Sequence, residues 1–74
     1  MEYPLIKSVD PRWSKVQVGQ YAVVRRDAEG DVVTVYSIED ARPQAVAFAR
    51  SLNLSSTAVF FRENDASVAE VPWT

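Results

Sequence analysis

Apolar residues cluster in two valine-rich stretches, "YAVVRR" at 21–26 and "VVTVYS" at 32–37, on either side of the charged run Asp27-Ala28-Glu29-Gly30-Asp31. Runs of this kind around a glycine-bearing turn predict a β-hairpin, with a first strand from about Val16 to Arg26 and Gly19 as a bend within it. Gly30 suits the last, left-handed position of a three-residue loop. With Asp27 opposite Asp31, regular pairing sets Val23 against Val35, Arg25 against Val33 and Tyr21 against Ser37 on one side. The other side then pairs Ala22 with Tyr36, Val24 with Thr34, and Arg26 with Val32. A slip of one residue exchanges the two sets. Both faces keep apolar side chains, so the pattern alone does not choose the core face.

Further along, Ala45, Phe48, Ala49 and Leu52 recur at i, i+3, i+4 and i+7, the stripe of an amphipathic helix. The spacing predicts a helix over 41–52, with Asp40 as N-cap, Pro43 in the first turn, and Asn53 and Leu54 closing the C-terminus. "TAVFFR" at 57–62 reads as a third strand. "ENDAS" reads as a turn, and "SVAEVPW" as a short last strand that suits an edge because Pro72 follows. The opening 1–14, with Pro4 and Pro11, reads as an extended arm whose Tyr3, Leu5, Ile6 and Trp13 are able to pack on the domain. Residues 1–74 form a single domain of the α+β class. It is a small two-layer fold, an antiparallel sheet of three to four strands in the order ββαβ, or ββαββ with the last strand, covered on one face by one helix.

Composition changes this picture in three ways. A chain of 74 residues buries only about 60% of its unfolded surface, so its core is thin. Small domains reinforce a thin core with disulfides, a metal or association, and the chain has no cysteine and no histidine. That leaves association with a partner or a second copy as the expected support, and it removes Ser-His-Asp and Cys-His catalysis. The formal charge of −2 lacks the basic excess of most nucleic-acid-binding domains. No apolar run reaches the length of a membrane span and the N-terminus lacks a signal-like apolar stretch, so a cytoplasmic protein with no membrane contact is expected.

Four chemistries bear on particular residues. Enzymatic use of serine–lysine or carboxylate pairs has no constellation behind it, and no catalytic residue is expected. Asp27, Glu29 and Asp31 alternate like the start of a calcium loop, but such a loop needs glycine sixth and glutamate twelfth. Here Gly30 is fourth and Ile38 twelfth, so a solvated turn is expected, with no metal and no cofactor. Sheet aromatics beside Arg25, Arg26 and Arg62 resemble a base-stacking surface, without the basic-Gly-aromatic start of an RNP1 motif. The fourth is a protein interface, favoured by eight aromatics (two Trp, three Tyr, three Phe) in so short a chain.

The sequence therefore points to a non-catalytic protein-binding domain, acting by stoichiometric contact with a protein partner or by self-association as a homodimer. Its expected contact residues are Val24, Arg26, Thr34 and Tyr36 on one sheet face, with Tyr21 and Trp73 as neighbours, unless the chain's own ends cover that face. The alternative is a weak nucleic-acid-binding domain using the same aromatics with Arg25, Arg26 and Arg62. In size and layout the chain resembles small phage- or plasmid-type accessory proteins, some of which act as stoichiometric inhibitors.

Overall fold

Gly30 closes the first hairpin as its position predicts. It adopts φ +90°, its amide donates to the Asp27 carbonyl at 3.0 Å, and the Asp27 amide donates to the Asp31 carbonyl at 3.0 Å. The Asp27 carboxylate tightens the loop further by accepting from the amides of Glu29 and Asp31. These features belong to a computed structural model that describes residues 2–4, 10–52 and 55–73, the first of these segments by backbone alone.

The elements are β1 (Glu2–Pro4), a 3₁₀ turn (Pro11–Lys15), β2 (Tyr21–Arg26), β3 (Val32–Glu39), α1 (Arg42–Leu52), β4 (Thr57–Arg62) and β5 (Ser67–Val71). The strands form one antiparallel sheet in the order β1-β5-β4-β2-β3. This is the expected small α+β domain with the ββαββ order, preceded by one further short strand. β5 is consequently not an edge, because β1 pairs with it through Glu2–Ala69, Tyr3–Val68 and Pro4–Ser67. The edges are β1 and β3.

β2 starts later than its valine pattern suggested. Gly19 takes φ +89°, and the Gln20 amide donates to the Gln17 carbonyl at 2.9 Å, so residues 17–20 make a turn and the strand begins at Tyr21. α1 begins at Arg42, with Ala41 rather than Asp40 at the position before it. The Asp40 carboxylate instead accepts from Gln20 Nε2 at 2.8 Å. Asn53 and Leu54, the expected C-cap pair, lie outside the described residues, as do Leu5 and Ile6 of the arm.

The hairpin register agrees with the expected one only beside the turn, at Arg26–Val32. β3 spends eight residues against the six of β2, and irregularities shift the ladder twice, so that Arg25 meets Thr34, Val24 meets Val35 and Val23 meets Ser37. The apolar spacing explains why. Val32, Val35 and Ile38 all join one core, and residues three apart in a regular strand point to opposite faces. An extra residue in each interval, at Val33 and at Tyr36, brings all three to the same side.

Two hydrophobic layers result, one on each face of the sheet. On one face α1 lies on β2, β3 and β4. Fully buried Ala45 and Ala49 let the helix approach closely over Val23 and Val59, and Val71 completes this core. On the other face the 3₁₀ turn lays Trp13 and Val16 over Ala22, Val24, Val32, Val35, Ala58, Phe60 and Val68. Trp13, only 6% exposed, meets Phe60 edge-on with ring centroids 6.0 Å apart. The second sheet face is therefore covered by the chain's own N-terminal segment. The C-terminal Trp73 goes to the helix face, where its Nε1 donates to the Thr57 carbonyl at 3.2 Å and Arg50 Nε donates to its carbonyl at 2.9 Å.

Asp10 fixes the 3₁₀ turn in place. Its carboxylate accepts from the Arg12 amide, from the Arg12 guanidinium at 2.9 and 3.2 Å, and from the Val35 amide of β3 at 2.8 Å. The Arg12 side chain first, then the Val35 and Arg12 amides, hold this carboxyl well below the usual carboxylate range.

A candidate protein-contact surface

The four residues expected on one face, Val24, Arg26, Thr34 and Tyr36, are divided between both, and their expected neighbours Tyr21 and Trp73 lie on the helix side. Val24 is fully buried under the 3₁₀ turn, so it has no surface to offer a partner. Arg26 lies on that same side, its guanidinium carbon 5.3 Å from the centroid of the Phe60 ring. Arg26 Nε donates to the Gly30 carbonyl at 2.8 Å, and Nη1 stands 3.9 Å from Glu70. It braces the turn and is engaged with neighbouring groups of its own chain. Tyr21, Tyr36 and Trp73 all pack on the helix-side core and stay partly exposed. Thr34, paired with Arg25, is also partly exposed. The expected shared face is thus corrected to two, because each bulge in β3 turns the following residues over.

The arginines divide in the same way. Arg62 donates to the carbonyls of Val16, Asn64 and Asp65, which uses its guanidinium to hold loop backbone. Arg26 is engaged as described, and Arg25 is exposed. The three do not line one groove for a phosphate backbone.

At the hairpin turn, Asp27, Glu29 and Asp31 bring carboxylate oxygens within 4.8 Å of one another, all exposed. Asp27 and Glu29 border an open concavity of about 470 Å³ whose other walls include Arg26, Ser55–Ala58 and Glu70. Thr57 is buried and its Oγ1 has no hydrogen-bond partner. Thr57 is not on the Arg26 side of the sheet, however. It alternates with Ala58, which belongs to the opposite core, so its hydroxyl faces the helix layer. The concavity therefore has carboxylates around Arg26, and the Thr57 hydroxyl is not directed into it.

The more coherent surface lies at the other end of the sheet. Register places Glu39, Tyr21, Phe61 and Ala69 side by side across β3, β2, β4 and β5. All four are partly exposed. The Tyr21 and Phe61 rings lie with centroids 4.8 Å apart and planes tilted by 39°. The loop feeding β2 is fastened to the end of β4 by Gly19 N–H to the Arg62 carbonyl at 2.8 Å and Arg62 N–H to the Gln20 carbonyl at 3.0 Å. That loop carries Val18, 52% exposed and the most prominent large apolar side chain among the described residues. Phe61 and Val18 were not singled out by sequence reasoning. The signal for Phe61 was present in "VFFR", where consecutive aromatics must face opposite sides of a strand.

No helix among the described residues is long and apolar enough to cross a membrane. The chain matches no protein-family model, no curated protein and no solved structure.

Proposed function

We propose that the chain is a non-catalytic protein-binding domain, contacting its partner through the helix-side end of the sheet around Tyr21 and Phe61. The observation that carries this reading is the partly exposed Tyr21–Phe61 pair, seated on the sheet at the end to which the loop carrying exposed Val18 is fastened. Aromatics held by packing lose little side-chain freedom on binding, which is why they dominate interface energetics. Of the residues expected from sequence, Tyr21 is central to this surface. Tyr36 and Trp73 stand around the same helix layer, whereas Val24 and Arg26 have structural roles. The nucleic-acid alternative is weaker, since Arg26 and Arg62 already hold backbone and neighbouring side chains.

The test is affinity capture with the tagged protein after nuclease treatment, repeated with Tyr21→Thr and Phe61→Thr and with Arg25→Ser as a control. A protein held by the parent chain and by Arg25→Ser, and released by both threonine variants that keep a native circular dichroism spectrum, is the expected result. Retention by all variants overturns the assignment of the surface. Capture that disappears on nuclease treatment overturns the protein-binding reading. Sedimentation of the purified chain over a range of concentrations tests whether the partner is a second copy.

A further inference from the structure

Building on that reading, we infer that the partner segment is basic, presenting a lysine or arginine to the Tyr21–Phe61 pair. The row that begins with Ala69 and passes under Phe61 and Tyr21 ends at Glu39. With strands about 4.8 Å apart, it spans roughly 14 Å. An aliphatic stem laid over Ala69 and Phe61 brings a cationic head above the rings, where the quadrupole of each face attracts it. The Glu39 carboxylate lies one strand beyond. Asp40 follows directly, exposed and steadied by Gln20 Nε2 at 2.8 Å.

Glu39 thus closes the row with a carboxylate, while of the cations close in sequence Arg42 stands at the start of α1 and Arg62, beside Phe61 in β4, is turned to the carbonyls of Val16, Asn64 and Asp65. No cation of the described residues stands within the row itself. Arg25, on the same side of β2, is four residues from Tyr21, roughly 13 Å along the strand. An acidic partner would meet net repulsion here, while a purely apolar one would leave Glu39 facing a dehydrated surface without compensation.

The experiment is a titration of the isotopically labelled protein with acetyl-tetra-arginine amide and, separately, with the tetra-glutamate peptide, followed by amide chemical shifts. Saturable shifts centred on Glu39, Tyr21, Phe61 and Ala69 with the arginine peptide alone are expected, largely reversed by 0.5 M salt. Glu39→Gln should weaken this binding by about three- to fivefold, the scale of one exposed charge pair. Shifts confined to Asp27, Glu29 and Asp31, an equal response to the glutamate peptide, or no response overturns the inference. A captured protein partner that is lost with Phe61→Thr but indifferent to Glu39→Gln and to salt would overturn the charge assignment and leave the contact surface standing.

Discussion

Two glycines with nearly the same φ differ in what surrounds them, and the difference is measurable. A Cβ at Gly19 meets nothing within 4 Å, whereas one at Gly30 comes within 2.7 Å of Arg26 Nη2. Both alanine variants carry the strain of a left-handed residue, about 1 kcal/mol. Gly30→Ala must in addition displace Arg26 from the Gly30 carbonyl and the Phe60 ring. It should cost about 1 kcal/mol more than Gly19→Ala in urea unfolding, since a side chain that gives way limits the clash but loses its hydrogen bond. Trp13 is the residue on which the second core depends most. Trp13→Ala should cost about 3 kcal/mol or more, a large share of what a domain of this size possesses. A urea midpoint lowered by less than a third of the parent value would contradict that role.

Among the elements, α1 and the hairpin turn were legible because their signals are local: a stripe at helical spacing, and a glycine at the one position of the loop that wants φ above zero. The register of β3 was not legible under an assumption of regular pairing. Yet "VVTVYSI" carries apolar residues at 32, 35 and 38, a spacing of three that only a twice-bulged strand places on one face, and that doublet rhythm is readable once known. The shared contact face failed for the same reason, since Val24, Arg26, Thr34 and Tyr36 were grouped by an uninterrupted alternation. The covering of the second face by Trp13 was foreshadowed by the aromatic arm, but its anchor was not. Asp10 caps a 3₁₀ turn and also takes the Val35 amide, a contact between residues 25 positions apart, which no local pattern signals. Because the folded Asp10 carboxyl titrates below its unfolded value, its contribution is complete above about pH 4 and is lost as the pH falls further. Asp10→Asn should lower stability at pH 7 and flatten the decline between pH 4 and pH 2. Parallel curves for the two proteins in pH-dependent urea unfolding would argue against this staple.

At the scale of the whole molecule, one sheet serves as the shared wall of two thin cores, so neither layer has an independent foundation. The helix side supplies the proposed contact surface at one end. The opposite side, closed by the 3₁₀ turn, keeps β2 and β4 aligned so that Tyr21 and Phe61 stay paired. This arrangement also provides a spectroscopic consequence. The chain's two tryptophans have been sorted one to each layer, Trp13 in the core beneath the 3₁₀ turn and Trp73 against the helix side. Trp13→Phe and Trp73→Phe therefore create two single-colour reporters, each blind to the opposite face. Their fluorescence should follow a common unfolding fraction at every denaturant concentration, after allowance for the stability cost of each substitution. Helical circular dichroism should follow the same fraction. A basic peptide seated at the Tyr21–Phe61 end should leave both emissions nearly unchanged, because Trp73 shares its face but is fastened at the far, Thr57 end of β4 and Trp13 lies beneath the opposite face.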